Sequence, residues 1–390
     1  MNTFSYHLEC PSWPEALPVP NSGSVEEYCS EIMDYLIPNL RVEMQETPQD
    51  PIHHAEGDVW THTMMVMHSL VISPDYLALS ILDKGVVFYA ALLHDIAKPF
   101  TTRHLNGRIS APGHSQKGAV MARKALWWKH VPWQIRERIC ALIEVHQVPF
   151  FVFNNHQQTP TDYLVRKLSL DRNLHLLSIL ANADMTGRIS NDQLQILQDI
   201  ELFAEYAKDL GCFENPFPFP DCITKMAYLD SEGKRAPTIP VYHPHPDFQV
   251  TLLSGLPASG KTTWRSTLND LPVVSYDDIR KSLGFKHGKN TGKIAHKAKD
   301  EMRQLLREKQ SFVIDATHLS RQMRQKNIQL IKSYGGLVNI LCFESYPELI
   351  LSRNNSRDNS LKNNTLTHML DHWEFPRNCD FHSLNVISTV

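Results

Sequence analysis

Residues 255–262 read Gly-Leu-Pro-Ala-Ser-Gly-Lys-Thr, which satisfies the Walker A pattern for a phosphate-binding loop. In such a loop, backbone amides and the start of the following helix hold nucleotide phosphates. Lys261 would reach the β- and γ-phosphates, and the Thr262 hydroxyl would bind Mg²⁺. We therefore expect ATP or another nucleoside triphosphate, with Mg²⁺, at the following residues: Gly255, Ser259, Gly260, Lys261, Thr262 and Thr263.

Three more residues of the C-terminal part have side chains suited to phosphoryl transfer. Asp277 follows a β-rich run and could accept the proton of an acceptor hydroxyl, while Arg280 could hold a phosphate of that acceptor. The alternative is that Asp277-Asp278 is an ordinary helix N-cap. Asp315 ends another β-rich run, which is the position of the Walker B carboxylate that organises Mg²⁺.

Arg353 and Arg357 lie four residues apart in a helix predicted to start at Pro347, which would place both guanidinium groups on one face. Such a pair suits a lid that stabilises the charge of a transferring phosphoryl group. The alternative is a surface helix end, where arginine interacts favourably with the helix dipole.

A second group of candidate residues, rich in histidine and aspartate, lies in the N-terminal part. His94-Asp95 ends the apolar run 86–93, and an ionisable pair at the end of a buried helix needs compensation, which a metal ion provides. The other candidate ligands lie in local patterns that would point them inward: His62, His114, His146 and Asp184. This set suits one or two divalent transition metals and metal-assisted hydrolysis. Lys98 and Arg188 could bind substrate phosphate or be surface charges.

The periodicity of the chain assigns these two groups to two kinds of structure. Residues 1–210 are predicted to be almost all helical; one helix covers 133–146 and ends before Pro149. The proline-rich residues 211–246 are predicted to form a connection. Beyond it, β-rich runs alternate with helices, which predicts a parallel sheet with helical crossovers. The predicted strands are 248–254, 273–276, 311–317 and 337–343, and the predicted helices are about 293–309 and 320–334.

Composition limits the class of protein. The chain has 390 residues, 42% of them hydrophobic and 21% charged, which predicts a folded multidomain protein of α and α/β type. It contains no apolar run long enough for a membrane span, and its start lacks the order of a signal peptide, so we expect a cytoplasmic protein without a membrane partner. Residues 247–390 carry 20 Lys+Arg against 14 Asp+Glu, whereas residues 1–246 carry 19 against 28. The C-terminal part is therefore the better match for a polyanion.

The C-terminal motifs resemble those of phage-type 5′-hydroxyl polynucleotide kinases over about residues 248–375. The resemblance rests on Gly255-x-Pro257-x-Ser259-Gly260-Lys261-Thr262-Thr263-Trp264, Asp277-Asp278-x-Arg280 and Arg353-x-x-x-Arg357, in that order. It implies that Asp277 is the general base on the 5′-OH and that Arg280 binds the 3′ phosphate beside the acceptor nucleoside. It also implies that Arg353 and Arg357 contact the phosphates of the nucleoside triphosphate.

The N-terminal pattern resembles the HD phosphohydrolase superfamily over about residues 50–190. His62, His94-Asp95 and Asp184 match the metal ligands of that superfamily, and His114 and His146 match positions that some members use for a second metal. The tracts around these residues look like the HD module of bacterial tRNA nucleotidyltransferases, without the nucleotidyltransferase head.

Together the two parts resemble bacterial HD-domain polynucleotide kinase-phosphatases. The resemblance implies a helical HD phosphohydrolase domain at 1–210 and a P-loop polynucleotide 5′-kinase domain with a parallel sheet at 247–390. Such an enzyme phosphorylates 5′-OH ends of RNA or DNA with ATP, and removes 2′,3′-cyclic, 2′- or 3′-phosphates, so that a separate ligase can seal the break.

Two alternatives remain open at the level of sequence. One is a small-molecule or nucleoside P-loop kinase fused to an HD nucleotidase. The other is a sensor gated by a nucleoside triphosphate, whose HD domain binds a ligand without catalysis.

Overall fold

The computed structural model describes residues 25–153, 159–268, 270–285, 290–357 and 360–389. The chain divides into two compact units between Pro218 and Phe219. We refer to the described residues up to 218 as the helical unit and to those from 219 onwards as the sheet unit. Within the described residues, no helix is both long enough and apolar enough to cross a membrane.

The helical unit contains twelve helices and one short antiparallel hairpin among its described residues. In chain order they are α1 (Val25–Leu36), α2 (Leu40–Gln45), α3 (Val59–Ile72), α4 (Pro74–Ala78), α5 (Ile81–Leu93), α6 (Lys98–Thr101), β1 (Arg103–Leu105), β2 (Arg108–Ser110), α7 (His114–Trp128), α8 (Trp133–Ile143), α9 (Val148–Phe151), α10 (Thr161–Ser169), α11 (Leu174–Thr186) and α12 (Gln193–Asp209). The predicted helical class is confirmed.

The core of the helical unit forms around α5, because that helix is apolar on every side. All residues from Gly85 to Leu93 are buried, a pattern typical of a helix enclosed by others. Helices α3, α8 and α11 pack against it. Side-chain caps fix the starts of α3 and α11: Asp58 accepts the amide of Thr61 at 2.8 Å, and Asn173 accepts that of Leu176 at 3.0 Å.

The helix predicted at 133–146 is shorter in the structure, because α8 ends at Ile143. His146 therefore lies in the turn after the helix and not on its face. Its Nδ1 donates to the carbonyl of Ile143 at 2.9 Å, an oxygen that a continuing helix would use for the amide of Gln147. Pro149 lies in the next helix, α9.

The sheet unit has a five-stranded sheet covered by helices. Its elements are α13 (Cys222–Asp230), β3 (Gln249–Gly255), α14 (Lys261–Arg265), β4 (Val273–Ser275), α15 (Tyr276–Ser282), α16 (Thr291–Arg307), β5 (Phe312–Asp315), α17 (Arg321–Ser333), β6 (Leu337–Ser345), α18 (Pro347–Asn355), α19 (Asn363–Leu370) and β7 (Ser383–Thr389). The strand order is β4-β5-β3-β6-β7, with every pair parallel. The predicted parallel sheet with helical crossovers is confirmed.

Helices α13 and α19 and strand β7 of the sheet unit were not predicted. Helix α13 falls in the proline-rich segment, where the Asp221 side chain caps it by accepting the amide of Thr224 at 2.7 Å. Strand β7 lies at the sheet edge, and its residues from Ser383 to Ser388 are partly or wholly exposed rather than buried. An edge strand of this kind lacks the continuous apolar run that identifies a central parallel strand.

The parallel arrangement brings the ends of three strands to one edge of the sheet. Ser275 pairs in register with Asp315, and the amide of Gly255 donates to the carbonyl of Thr317 at 2.9 Å. A side chain at Gly255 would place its Cβ 2.8 Å from the carbonyl oxygen of Phe343. The phosphate loop thus leaves the sheet where ligands of open α/β sheets bind.

Gly187 allows α3 and α11 to cross in close contact in the helical unit. A Cβ at this position would lie 2.5 Å from the Val66 amide nitrogen and 2.6 Å from its Cα. Both neighbours are backbone atoms, so no rotamer change could relieve the overlap. The close crossing matters for the candidate site, since His62 lies on α3 and Asp184 on α11.

We expect Gly187→Ala to destabilise the helical unit by about 2 kcal/mol or more, because the added methyl group forces α3 and α11 apart. Urea unfolding followed by far-UV circular dichroism measures this effect. Gly118→Ala is the matched control, since its Cβ would meet neighbours only at 3.5 Å and beyond. Equal stability of the two variants would show that the crossing tolerates a side chain.

Candidate metal centre and phosphate loop

The structure brings together the six histidine and aspartate residues predicted to bind metal. They come from separate elements and are all buried: His62 on α3, His94 and Asp95 after α5, His114 at the start of α7, His146 after α8 and Asp184 on α11. Their ligand atoms form three overlapping groups, within each of which all atoms lie within 4.8 Å of one another. We call this set the histidine–aspartate centre.

Three of the histidines are oriented by the same local contact. The Nδ1 of His94 donates to the carbonyl of Ala91 at 2.7 Å, and His114 and His146 make the equivalent bond to the carbonyl three residues earlier, at 2.7 and 2.9 Å. A carbonyl only accepts, so Nδ1 carries the proton. The Nε2 of each neutral ring is then the free ligand atom, and it faces the centre.

Several facing atoms in the centre are acceptors, which require a cation between them. His94 Nε2 lies 3.1 Å from Asp95 Oδ2, whereas His62 Nε2 makes a hydrogen bond of 3.1 Å with Asp184 Oδ1. Within the described residues, His94 Nε2, Asp95 Oδ1 and Asp184 Oδ2 are buried and make no hydrogen bond. Such unsatisfied acceptors are costly unless a proton or a metal ion lies among them. The residues present therefore fit a metal.

The Asp95 carboxylate reaches histidines on two sides. Its Oδ2 lies 3.8 Å from His62 Nε2, and its Oδ1 lies 3.4 Å from His114 Nε2. His114 Nε2 is in turn 3.4 Å from His146 Nε2. Imidazole and carboxylate in this number can hold one or two divalent ions.

The protonation states of His114, His146 and Asp184 suit metal ligands. Burial opposes the charged form of His94, but the carboxylates of Asp95 and Asp184 outweigh burial and raise the pKa of that ring. Burial lowers the pKa of His146 to about 3 and also lowers that of His114, so both rings are neutral near pH 7. Burial opposes ionisation of Asp184, but the Arg188 guanidinium and the neighbouring histidines hold the pKa of that carboxyl well below its usual value. Neutral imidazole and ionised carboxylate are the forms that bind metal.

Glu56 completes the centre, and sequence reasoning did not assign it a role. Its side chain is 1% exposed, and its Oε1 lies 2.9 Å from His62 Nδ1 and 2.8 Å from His54 Nδ1. Its Oε2 accepts the amide of Ile189 at 3.0 Å. Glu56 Oε1 therefore lies on the Nδ1 side of His62, where backbone carbonyls lie for the other three histidines. The available sequence signal was a carboxylate six residues before a candidate ligand histidine.

Lys98 and Arg188 are buried at the centre, so they are not surface charges. Lys98 Nζ lies 2.7 Å from Asp95 Oδ2 and donates to Gln49 Oε1 at 2.5 Å. Arg188 Nη2 donates to Asp184 Oδ1 at 3.0 Å. Each of the two ligand carboxylates thus has one fixed cationic neighbour.

In the sheet unit, Lys261 folds back onto the phosphate loop. Its Nζ donates to the carbonyls of Gly255 and Leu256 at 2.8 and 2.6 Å. Burial lowers the pKa of Lys261 to about 8, against the pull of Asp315. The loop includes Gly260 with φ of 104°, a conformation that favours glycine.

The other predicted residues of the loop differ in exposure. Ser259 is buried, whereas Thr262 and Thr263 are exposed at the start of α14. The hydroxyl groups of both threonines are therefore open to a ligand. Thr262 is where the Walker A pattern expects Mg²⁺ to bind.

Arg265 connects two carboxylates at the edge of the sheet. It pairs with Asp278 and, at 3.3 Å, with Asp315 Oδ2. Burial raises the pKa of Asp315 above its usual value, although Lys261 and Arg265 lower it. Asp315 is thus close enough to Lys261 for the lysine charge to affect the pKa of Asp315, as expected for a Walker B carboxylate beside the phosphate loop.

Asp277 and Asp278 have different environments although they are adjacent. Ser275, not either aspartate, caps α15, since its side chain accepts the amide of Asp278 at 3.3 Å. The side chain of Asp277 is 75% exposed and pairs with Arg280. Asp277 is therefore the more exposed of the two carboxylates, since the side chain of Asp278 is 49% exposed.

The prediction that Arg353 and Arg357 share a helix face is wrong, because α18 ends at Asn355. Asn354 ends the helix by folding over the following chain: its side chain donates to the carbonyl of Leu361 at 2.7 Å and accepts its amide at 3.0 Å. Arg357 lies in the bend beyond the helix, where its positive charge acts to lower the pKa of Lys261. Its Nε is buried and has no hydrogen-bond partner among the described residues.

Comparison with known families agrees with the two kinds of site. The HD domain family matches residues 59–184, and an AAA domain family, AAA_33, matches residues 250–376. The chain thus contains an HD domain and a P-loop kinase-like domain.

Two relatives share part of the chain. A CC-adding tRNA nucleotidyltransferase from Thermus thermophilus is 35% identical over 101 residues, which are 25% of this chain and 21% of that protein. A multifunctional CCA protein from Halorhodospira halophila is 36% identical over 78 residues, which are 20% of this chain and 16% of that protein. The chain therefore spans about a fifth of the length of these relatives.

Two solved structures overlap with about a third of the chain. A candidate kinase from Chloroflexus aurantiacus has a TM-score of 0.31 at 16% identity, and a sugar kinase from Janibacter has a TM-score of 0.28 at 18% identity. Each similarity covers 36% of this chain and 84% of the other.

We expect Glu56→Gln to weaken divalent metal binding by roughly 10- to 100-fold, because the amide no longer holds the Nδ1 proton of His62 as a carboxylate does. Metal content after dialysis against a graded chelator, measured by inductively coupled plasma mass spectrometry, tests this. Glu144→Gln is the matched control, since Glu144 pairs with Arg172 at 2.8 Å in a partly exposed position. Unchanged metal retention in Glu56→Gln would contradict a positioning role.

Proposed function

We propose that the chain is a bifunctional polynucleotide end-healing enzyme. The sheet unit would phosphorylate 5′-OH ends with ATP, and the helical unit would remove 2′,3′-cyclic, 2′- or 3′-phosphates, leaving ends for a separate ligase. The observation that carries the proposal is the convergence of four histidine Nε2 atoms on two buried carboxylates, in a chain that also presents Asp277 and Arg280 beside a phosphate loop.

The kinase half of the proposal assigns the acceptor site to Asp277 and Arg280. A 5′-hydroxyl oxygen would attack the γ-phosphorus in line, its proton would pass to Asp277, and the bond to the β,γ-bridging oxygen would break. Arg280 pairs with Asp277 and would instead hold a phosphate of the acceptor once the strand binds. Lys261, now bound to loop carbonyls, would turn to the β- and γ-phosphates.

Arg353 and Arg357 would contribute to the same step from the segment after β6. We propose that both contact the phosphates of the nucleotide, Arg353 from the last turn of α18 and Arg357 from the bend that follows. Asp315 and Thr262 would hold Mg²⁺, which when bound neutralises charge on the phosphates. Arg265, which pairs with Asp315, would keep that carboxylate in position.

The hydrolase half of the proposal assigns metal binding to the histidine–aspartate centre. One or two divalent ions bound there would supply Lewis-acid activation of water and of the phosphoryl group. Lys98 and Arg188 each contact a ligand carboxylate, so they would place positive charge where the substrate phosphate arrives. Both would lower the cost of bringing an anion to a site that already contains two carboxylates.

Two observations favour a polynucleotide over a small molecule as the substrate: the charge of the C-terminal part and the name of one relative. The C-terminal part carries an excess of Lys+Arg over Asp+Glu, 20 against 14, which supports contacts to a phosphodiester backbone. One relative is named as a CC-adding tRNA nucleotidyltransferase, an enzyme whose name specifies a nucleic acid substrate.

A single RNA oligonucleotide with a 5′-OH and a 3′-phosphate tests both halves. Incubated with ATP, Mg²⁺ and a transition metal, it should gain a 5′-phosphate and lose its 3′-phosphate. The two changes cancel in the intact mass, so mass spectrometry is applied to the terminal fragments after nuclease digestion, which reports each end separately. Lys261→Ala should slow only the 5′ reaction, and Asp95→Ala only the 3′ reaction, each by more than about a hundredfold. Each variant is the control for the other. If neither end changes while nucleosides or nucleotides react, the small-molecule alternative replaces the proposal.

The role of Asp277 has its own test in a comparison with the neighbouring carboxylate. Asp277→Ala should lower the rate of 5′ phosphorylation by about 10²- to 10⁴-fold and leave ATP affinity nearly unchanged, because the proton acceptor is lost but no phosphate contact is. Asp278→Ala, which removes a carboxylate paired with Arg265, should lower the rate much less. Loss of ATP affinity in Asp277→Ala would contradict the general-base assignment.

A further inference from the structure

The helical unit contains one long stretch without any carboxylate. Residues 96–136 include eight Lys and Arg and no Asp or Glu, although residues 1–246 as a whole carry 28 acidic against 19 basic residues. Two of the eight, Arg123 and Arg136, are buried and pair with Glu137. Lys98 belongs to the histidine–aspartate centre. The exposed members include Arg103, Arg108 and Lys117.

The hairpin β1–β2 in this stretch presents its two arginines on one face. Arg108 pairs directly with Leu105, which is two residues from Arg103. Directly paired residues share a face, as do residues two apart on a strand. The two arginines are therefore diagonal neighbours, at about 7–8 Å, a spacing that allows each to contact a different phosphate of one strand.

The hairpin is attached next to the histidine–aspartate centre. Asp50 Oδ2 accepts the amide of Ile109 at 3.3 Å, and Oδ1 accepts that of Ile52 at 3.0 Å. The preceding residue, Gln49, accepts a hydrogen bond from Lys98, whose Nζ contacts Asp95. Helix α7 starts with the candidate ligand His114 only four residues after β2 ends. The acidic neighbour Asp50 thus uses one oxygen for a backbone amide of the hairpin and the other for the amide of Ile52 in its own loop.

An exposed aromatic ring lies between the centre and the hairpin in the chain. Phe100 is two residues after Lys98, is 49% exposed, and has Lys117 Nζ 5.1 Å from its ring centroid. Exposed aromatic rings beside cationic side chains are typical of surfaces that bind single-stranded nucleic acid, where a base stacks on the ring.

We infer that Phe100, Arg103, Arg108 and Lys117, together called the hairpin surface, bind the backbone of a single-stranded polynucleotide whose 3′-terminal phosphate enters the histidine–aspartate centre. The inference rests on the proposed hydrolase function and adds to it the path of the substrate strand. An acidic peptide would match the charge of this surface but would not use the exposed ring, so a nucleic acid strand is the partner that fits both features.

The test compares a long with a short substrate on the full-length protein. The long substrate is a 12-nucleotide RNA with phosphates at both ends, so that the kinase site has no acceptor hydroxyl, and the short one is a nucleoside 3′-monophosphate. Arg103→Ala/Arg108→Ala should raise KM for the long substrate about tenfold at low salt and leave kcat for it unchanged. Its slope of log(1/KM) against log[salt] should be about 1.4 less steep, about 0.7 for each lost phosphate contact.

Two control variants separate a lost contact from damage to the fold. Arg103→Lys/Arg108→Lys keeps both charges and should stay within about threefold of the wild-type KM. Lys208→Ala removes an exposed charge near the C-terminal end of α12. The N-terminal residue of that helix, Gln193, donates to the carbonyl of Arg188 near the centre, and Lys208 lies roughly 22 Å along the helix from it. This variant should leave KM for both substrates unchanged. Lys208 is 51% exposed and pairs with Glu205.

The outcomes distinguish failure of the inference from failure of the proposed function. If the wild type hydrolyses neither substrate, the proposed function fails. If it hydrolyses both and the double alanine variant has an unchanged KM for the long one, the hairpin surface is not the path of the strand. An equal loss on the short substrate would mean that the hairpin supports the centre itself, and competition by polyglutamate as strong as by 3′-OH RNA would mean an unselective anion surface. Either result overturns the inference.

Discussion

The helical unit is arranged around two carboxylates that are buried together with four histidines. Removing ionised Asp95 and Asp184 from water is expensive, and the cost is offset only if cations and hydrogen-bond donors surround them. Lys98 and Arg188 supply one cation each, but several ligand atoms still face one another as acceptors. The helices α3, α5, α7, α8 and α11 converge on this point. The side chains that would bind a metal are therefore the same ones that lie where these helices meet.

The orientation of the histidines comes from very short-range contacts. His94, His114 and His146 each bond to a carbonyl three residues earlier, which is possible because each lies at or beyond a helix end, where a carbonyl is free of the helix pattern. His62 lies within α3, and the atom that faces its Nδ1 is Glu56 Oε1, 2.9 Å away. The histidine inside a helix is thus faced by a carboxylate, whereas the three histidines at helix ends are held by backbone carbonyls.

The sheet unit brings charged groups together in a different way, at one edge of its parallel sheet. Its phosphate loop leaves β3 beside the tips of β4 and β5, and Arg265 holds Asp278 and Asp315 at that edge. Asp277 and Thr262 remain open to solvent. Where the histidine–aspartate centre is fixed by burial, this edge is fixed by the register of parallel strands.

Local sequence determined much of this protein. The apolar run before His94-Asp95, the helical periodicity of the first half, the glycine-rich loop after a strand and the alternation of strands with helices are all signals within about 15 residues. Each predicts structure because the pattern directly reflects burial on one face or on all faces. Strand β7 escaped this reasoning because an edge strand buries little, and α13 because prolines flank it.

Tertiary structure alone decided which charges meet. His62 and Asp184 are 122 residues apart in sequence yet 3.1 Å apart in space, and their closeness depends on the missing side chain of Gly187. The sequence allowed Lys98 and Arg188 to be either surface charges or phosphate-binding residues, and the structure shows both buried against ligand carboxylates. The roles of Glu56 and Arg265 and the position of Arg357 beyond its helix likewise follow from packing. Contacts between distant segments leave no periodic trace in the sequence, since each partner taken alone is an ordinary polar residue.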